Sequence, residues 1–129
     1  MTDPSNVDRL SALRDRLRQF VAERDWQQFH DPTNLAMAIA SEAGELLSEL
    51  RWVTSEKADE AVRDPGRRER IRNEVGDVAI ALLLLCDRIR IDLLDALEAK
   101  LDLNALNYPS ELSRGVSERP APQSPRDAL

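Results

Sequence analysis

The sequence is poor in cysteine, histidine, glycine and aromatic residues: one, one, four and five respectively among 129 positions. A lone thiol, Cys86, leaves no partner for an internal disulfide, which suits a reducing cytoplasm. One histidine, His30, cannot assemble the nitrogen-rich ligand sets that zinc favours, and the Glu-x-x-His pattern of di-iron bundles is missing. No glycine-rich phosphate loop occurs, which excludes a P-loop nucleotide site. No serine sits in a nucleophile elbow, and neither serine nor cysteine has a context that would activate it. Basic residues are outnumbered, 18 against 24, for a net charge of −6. That balance argues against a surface for polymeric nucleic acid, which needs clustered Lys and Arg. The longest uncharged apolar run, Val78 to Cys86, is too short to span a bilayer. The stretch Met1 to Arg18 is charged throughout and does not read as a signal peptide. The expectation is a cytoplasmic, soluble protein with no membrane partner and a single core-forming domain.

Strand signals are also missing, whereas helical periodicity is present nearly everywhere. Val7, Leu10, Leu13, Leu17, Phe20 and Val21 recur every three or four residues and predict a helix over Ser5 to Asp25. Asp31-Pro32 reads as a helix start, with the acid as cap and proline in the first turn. A second helix is expected over Thr33 to Trp52. A polar connector from Thr54 to Arg63 follows, with a short helix beginning at Ser55. Asp64-Pro65-Gly66 restarts the chain, and a third long helix is expected from Arg67 to Arg90. Its segment Val78 to Cys86 is apolar on every side and so must be buried on every side, which predicts an oligomer interface. Asp92 is the expected cap of a fourth helix, Leu93 to Asn107, stopped by Tyr108-Pro109. The reading is an all-α bundle of four to five helices over residues 1–109 that assembles as a homo-oligomer. Residues 110–129, rich in Ser, Arg and Pro, read as a disordered tail.

Two quartets echo each other inside these helices: Glu42-Ala43-Gly44-Glu45 and Glu74-Val75-Gly76-Asp77. Positions i and i+3 share a helix face, so each quartet presents two carboxylates side by side. Each also holds a mid-helix glycine, at about 1 kcal/mol relative to alanine, for which close approach of a backbone or ligand is the usual compensation. An isolated Glu-x-x-Glu is ordinarily a solvated helix face. Two copies with glycine in the same place, both in apolar surroundings, point instead to a cation among four acids. Oxygen ligands select Mg²⁺ or Mn²⁺ among hard cations, with Ca²⁺ also compatible. Glu49, on the same face, is either an outer partner or solvated. His30 is expected to be structural or to line a pocket. Trp26 and Trp52 are either core residues or planar walls against a base, and Lys100 with Asn104, spaced i, i+4, are either an exposed face or phosphate and substrate contacts.

The paired acids resemble the ExxE…ExxD signature of MazG-like, all-α nucleoside triphosphate pyrophosphohydrolases. The likeness extends to Ala22-Glu23-Arg24-Asp25-Trp26-Gln27-Gln28-Phe29-His30 with Asn34-Leu35, to Trp52, and to Lys100-Leu101-Asp102-Leu103-Asn104 with Tyr108-Pro109. These segments are similar to the dCTP pyrophosphatase branch, over about Leu10 to Arg114. The resemblance implies an Mg²⁺-dependent enzyme, dimeric or tetrameric, that hydrolyses a (deoxy)nucleoside triphosphate to the monophosphate and pyrophosphate. It implies Glu42, Glu45, Glu74 and Asp77 as metal ligands. For an in-line displacement assisted by the metal, Glu42 or Glu45 of the second helix is the expected residue to orient or deprotonate the attacking water. The resemblance implies Trp26 and Trp52 as pocket walls, and Lys100, Asn104, Tyr108 and Arg114 as phosphate or sugar contacts. Ala81 and Leu17 depart from the branch, where tyrosine and histidine line the base side, and so strict cytosine preference does not carry over. The alternative from another class is a non-catalytic helical oligomerisation module with a structural cation site.

Overall fold

Helix α1, Pro4–Glu23, ends on a turn that contains no glycine. Asp25 takes the left-handed conformation, φ 53°. The Trp26 N–H then reaches back to the Val21 carbonyl at 3.1 Å, and the Asp25 N–H to that of Ala22 at 3.1 Å. This is the Schellman arrangement, and its customary apolar contact is made by Trp26 on Phe20, edge to face at 5.7 Å between ring centroids. The Arg24 guanidinium covers the Phe20 ring at 3.7 Å. The computed structural model describes residues 4–121, with side chains from residue 9 onward, and no strand occurs among them.

A single 3₁₀ turn, Gln27–Phe29, leads into α2, Pro32–Ser48. Asp31 caps α2 by accepting the Asn34 N–H at 2.8 Å, with Pro32 in the first turn. Helix α3, Ser55–Ala61, is short, and α4, Pro65–Ile89, is the longest. Asp64 caps α4 through the Arg67 N–H at 2.9 Å. The expected extension of α2 to Trp52 is not made. Beyond Ser48 the bonds shorten to three-residue turns (Leu50 to Leu47, Val53 to Leu50), so Trp52 lies outside the helix and is 88% exposed.

Helices α2 and α4 pack as a pair. The Arg70 Nε donates to Glu49 Oε2 at 3.0 Å near one end, while Glu42 meets Asp77 further along, so the two helices run antiparallel. Arg18 of α1 donates to Asp87 of α4 at 2.9 Å and holds the third long helix of this unit in place. The pair is half exposed, and such pairs stabilise by about 0–1 kcal/mol. Val21, Leu35 and Ala81 are the buried apolar residues of the described chain. The run Val78 to Cys86 is therefore not covered on every side by its own chain: Ala81 is buried, but Ile80 stays 44% exposed. Packing against α2 shields one face only.

Met1–Arg90 and Ile91–Leu129 form two separate compact units. In the second, Asp92 caps α5, Leu93–Asn107, through the Asp95 N–H at 3.0 Å. The stretch read as a tail opens with one helical turn, α6, Ser110–Ser113. Pro122, Pro125 and the rest of 122–129 lie outside the described residues.

Of the two compensations expected at the mid-helix glycines, a close backbone or a ligand, the first is not found among the described residues. A Cβ built on Gly44 or Gly76 meets nothing within 4 Å beyond its own helical turns, so among the described residues no other backbone approaches either position. Gly44→Ala and Gly76→Ala should each stabilise the chain by about 1 kcal/mol through helix propensity alone, read from denaturant melts. A loss of stability in either would reveal close contact with something other than this chain.

Candidate metal and substrate site

Packing α2 against α4 gathers acids from both helices. Glu42, Glu74 and Asp77 each offer a carboxylate oxygen within 4.8 Å of the others. Glu42 and Glu74 are half-buried and Asp77 is exposed. Glu74 Oε2 is buried without a hydrogen-bond partner. Its carboxyl is pushed above the usual glutamate range, first by desolvation, then by the negative charges of Asp77, Glu42, Glu45 and Glu49. An orphaned oxygen among three converging carboxylates is a donor set that fits a hard divalent cation.

Glu45 is not a member of this cluster. One turn beyond Glu42 its side chain is exposed and lines a separate surface hollow with Gly44, Leu47, Ser48 and Arg51, yet its charge still reaches Glu74. Glu49, partly exposed, is paired with Arg70 at 3.0 Å.

Beside the acids, the two helices leave a hollow of about 560 Å³. Helix α2 supplies Asn34, Leu35, Met37, Ala38, Ser41 and Glu42, and α4 supplies Asp77, Ile80, Ala81 and Leu84, with Phe29 and His30 at the far end. Glu42 and Asp77 thus belong to both the acid cluster and the hollow. His30 is a lining residue, as expected, and also borders an adjoining hollow of about 270 Å³ with Arg18, Gln27 and Arg88. Ala81 lines the larger hollow, but Leu17 does not.

Neither tryptophan lines this hollow. Trp26 closes the α1 turn on Phe20, and Trp52 projects from the chain with the Arg51 guanidinium 5.6 Å from its ring. Lys100, Asn104, Tyr108 and Arg114 belong to the second unit. Lys100 and Asn104 share one face of α5, the Asn104 carbonyl accepts the Tyr108 N–H at 2.8 Å, and Arg114 ends α6. Sequence reasoning did not single out Ser41, Ala38 or Ile80. Extending the helical period from each acid quartet along the same face, through 38 and 41 on one helix and 80 and 84 on the other, would have marked them.

This architecture matches a solved pyrophosphatase from Archaeoglobus fulgidus, at a TM-score of 0.74 and 35% identity, over 78% of this chain and 93% of that one. The chain belongs to the MazG-like family of all-α nucleoside triphosphate pyrophosphohydrolases. Within it, the chain is similar to dCTP pyrophosphatase 1 of Bos taurus, 39% identical over 111 residues, and of Homo sapiens, 38% identical over 110. Those alignments cover 86% and 85% of this chain but 66% and 65% of the relatives, so it spans less than two thirds of their length. No protein-family model matches the sequence.

The raised Glu74 carboxyl binds its proton more tightly folded than unfolded. Without metal, its contribution to stability is therefore present at low pH and lost as pH rises through the raised folded value. Glu74→Gln should flatten that slope and raise the metal-free melting temperature at neutral pH. It should also remove most of the stabilisation that Mg²⁺ gives the unaltered chain. Thermal melts with and without Mg²⁺ across pH test both; an unchanged Mg²⁺ response would take Glu74 out of the site.

Proposed function

We propose that the chain hydrolyses a nucleoside triphosphate, dCTP or a related or modified nucleotide, to the monophosphate and pyrophosphate, and that it does so with Mg²⁺ in a reducing cytoplasm. One observation carries the reading: carboxylates of both paired helices converge at the mouth of a nucleoside-sized hollow. Glu42, Glu74 and Asp77 would hold the cation. When bound, Mg²⁺ or Mn²⁺ offsets the charge of the phosphates and of the leaving group. Glu45, outside the cluster but within its field, is assigned to the water: it orients the molecule and takes its proton as the oxygen attacks the α-phosphorus. The bond from the α-phosphorus to the bridging oxygen breaks, and pyrophosphate leaves. Lys100 and Arg114 are assigned to phosphate contacts, and Asn104 and Tyr108 to sugar or phosphate. Trp52, 88% exposed and on the side of the acids away from the hollow, is assigned to a nucleotide contact outside it, while Trp26 supports the turn that borders the hollow.

A homo-oligomer, dimer or tetramer, belongs to the same proposal. Leu94, Leu97 and Leu101, on one face of α5, are 40%, 54% and 60% exposed in the single chain, an apolar stripe that a second copy would cover. Light scattering on the purified protein should give a mass that is a multiple of 14.6 kDa; a monomer at micromolar concentration would overturn this part.

Pyrophosphate release measured across common and 5-modified nucleotides tests the chemistry. Activity should require Mg²⁺. Asp77→Asn and Glu42→Gln should weaken Mg²⁺ binding and remove turnover. Glu45→Gln should lower kcat by about 10²–10⁴-fold, the range for a lost general base, with Mg²⁺ binding kept. No release from any nucleotide would favour a structural cation site in a helical assembly module.

A further inference from the structure

Asn34 lines the hollow two helical turns before Glu42, with its side chain fixed by the chain's own fold. Its Nδ2 donates to the Phe29 carbonyl at 3.1 Å and to Asp31 Oδ2 at 2.8 Å. A carbonyl and a carboxylate can only accept, so the amide nitrogen must face them, and the orientation of the group is chemically forced. Both amide hydrogens are thereby committed. What Asn34 has left to offer the hollow is Oδ1, an acceptor held in one orientation.

Away from the acid end marked by Glu42 and Asp77, the other polar side chains on these walls do not discriminate in this way. The Ser41 hydroxyl and the His30 imidazole can each donate or accept. The walls themselves are apolar or small, with Ala38 and Ala81 among them. Eight residues separate Asn34 from Glu42, about 12 Å along the helix at 1.5 Å per residue. That is comparable to the reach from an α-phosphate to the outer edge of its base. With phosphates at the acids, the edge of the base meets the Asn34 end.

We infer that Asn34 Oδ1 is a specificity-determining acceptor that selects nucleotides whose base carries an exocyclic amino group, cytosine or adenine, over their oxo counterparts. The inference rests on the proposed nucleotide chemistry and concerns its substrate class. An amino group donates to Oδ1. An oxo group in the same place sets two acceptors against each other and leaves both without a hydrogen. Asp31 is a positioning residue in this scheme, since one of its oxygens caps α2 and the other pins the amide.

Matched pairs that differ at this one group provide the test: dCTP against dUTP, and dATP against dITP. The unaltered chain should favour the amino member of at least one pair by about tenfold or more in kcat/KM, the scale of one hydrogen bond. Asn34→Ala should bring that ratio towards one, whereas loss of a merely structural residue would lower both members equally. Asp31→Ser keeps a capping oxygen, frees one amide hydrogen, and should narrow the ratio while the chain stays folded. Metal-free binding of dCMP and dUMP, followed by calorimetry, should show the same order without catalysis. Equal use of both members by the unaltered chain, or a ratio that survives Asn34→Ala, would overturn the inference and leave the pyrophosphohydrolase reading standing. Preferential binding of dCMP without hydrolysis of any triphosphate would support it and remove the proposed reaction instead.

Discussion

Carboxylate repulsion across one helix pair governs the first unit. Glu42, Glu74 and Asp77 are held within 4.8 Å of one another by the packing of α2 on α4, and one Glu74 oxygen is cut off from water without a partner. Like charges at that separation raise the free energy of the metal-free fold, and desolvation adds to it. The Arg70–Glu49 pair offsets charge at one end of the row, but with Arg70 more than half exposed its contribution is small. A divalent cation relieves what the packing imposes. In the proposed reading, the same repulsion would be the source of affinity for a hard, doubly charged ion.

The hollow follows from how α1 hands the chain to α2. A left-handed Asp25 ends α1, Trp26 seals the turn on Phe20, and the 3₁₀ turn brings Phe29 and His30 to the start of α2. Asp31 and Asn34 then lock turn to helix with three hydrogen bonds. Position along α2 becomes a ruler with acids near one end and an oriented amide at the other. Helix α4, antiparallel to it, presents Asp77 beside Glu42, and Ala81 and Leu84 further along.

Local chemistry made the helix starts legible. Asp31-Pro32, Asp64-Pro65 and Asp92 each open the helix they were expected to open, because a capping carboxylate needs only its own backbone. The acid quartets were legible for the same reason, since i, i+3 spacing fixes a face. What spacing does not fix is which member of a face turns inward: Glu42 joins the cluster across the helix pair, and Glu45 stays in solvent. The end of α2 was misplaced because apolar residues continue to Trp52 at helical spacing while the backbone has already tightened into short turns. The role of Trp26 in closing the α1 turn was not legible, because the stop carries aspartate where glycine usually signals a left-handed residue. The oriented amide of Asn34 was hidden for a different reason. Its direction depends on the Phe29 carbonyl, whose position is set by the turn and not by residue type.

The thin core and the crowded acids belong to one problem. Val21, Leu35 and Ala81 are the buried apolar residues of the described chain, while large side chains on α2, α4 and α5 remain open to water. Burying one leucine or valine contributes about 1.5–3 kcal/mol and an alanine methyl less, so these three residues leave little margin for a helix pair that also holds unneutralised carboxylates together. Self-association that also covered the exposed face of α4, where Ile80 is open, would answer this by tightening the pair on which the acids stand. Cation binding acts on the same pair from the opposite side by removing the repulsion. The proposed assembly and the proposed cation would then favour one arrangement of α2 and α4, and each would strengthen the other through that shared pair.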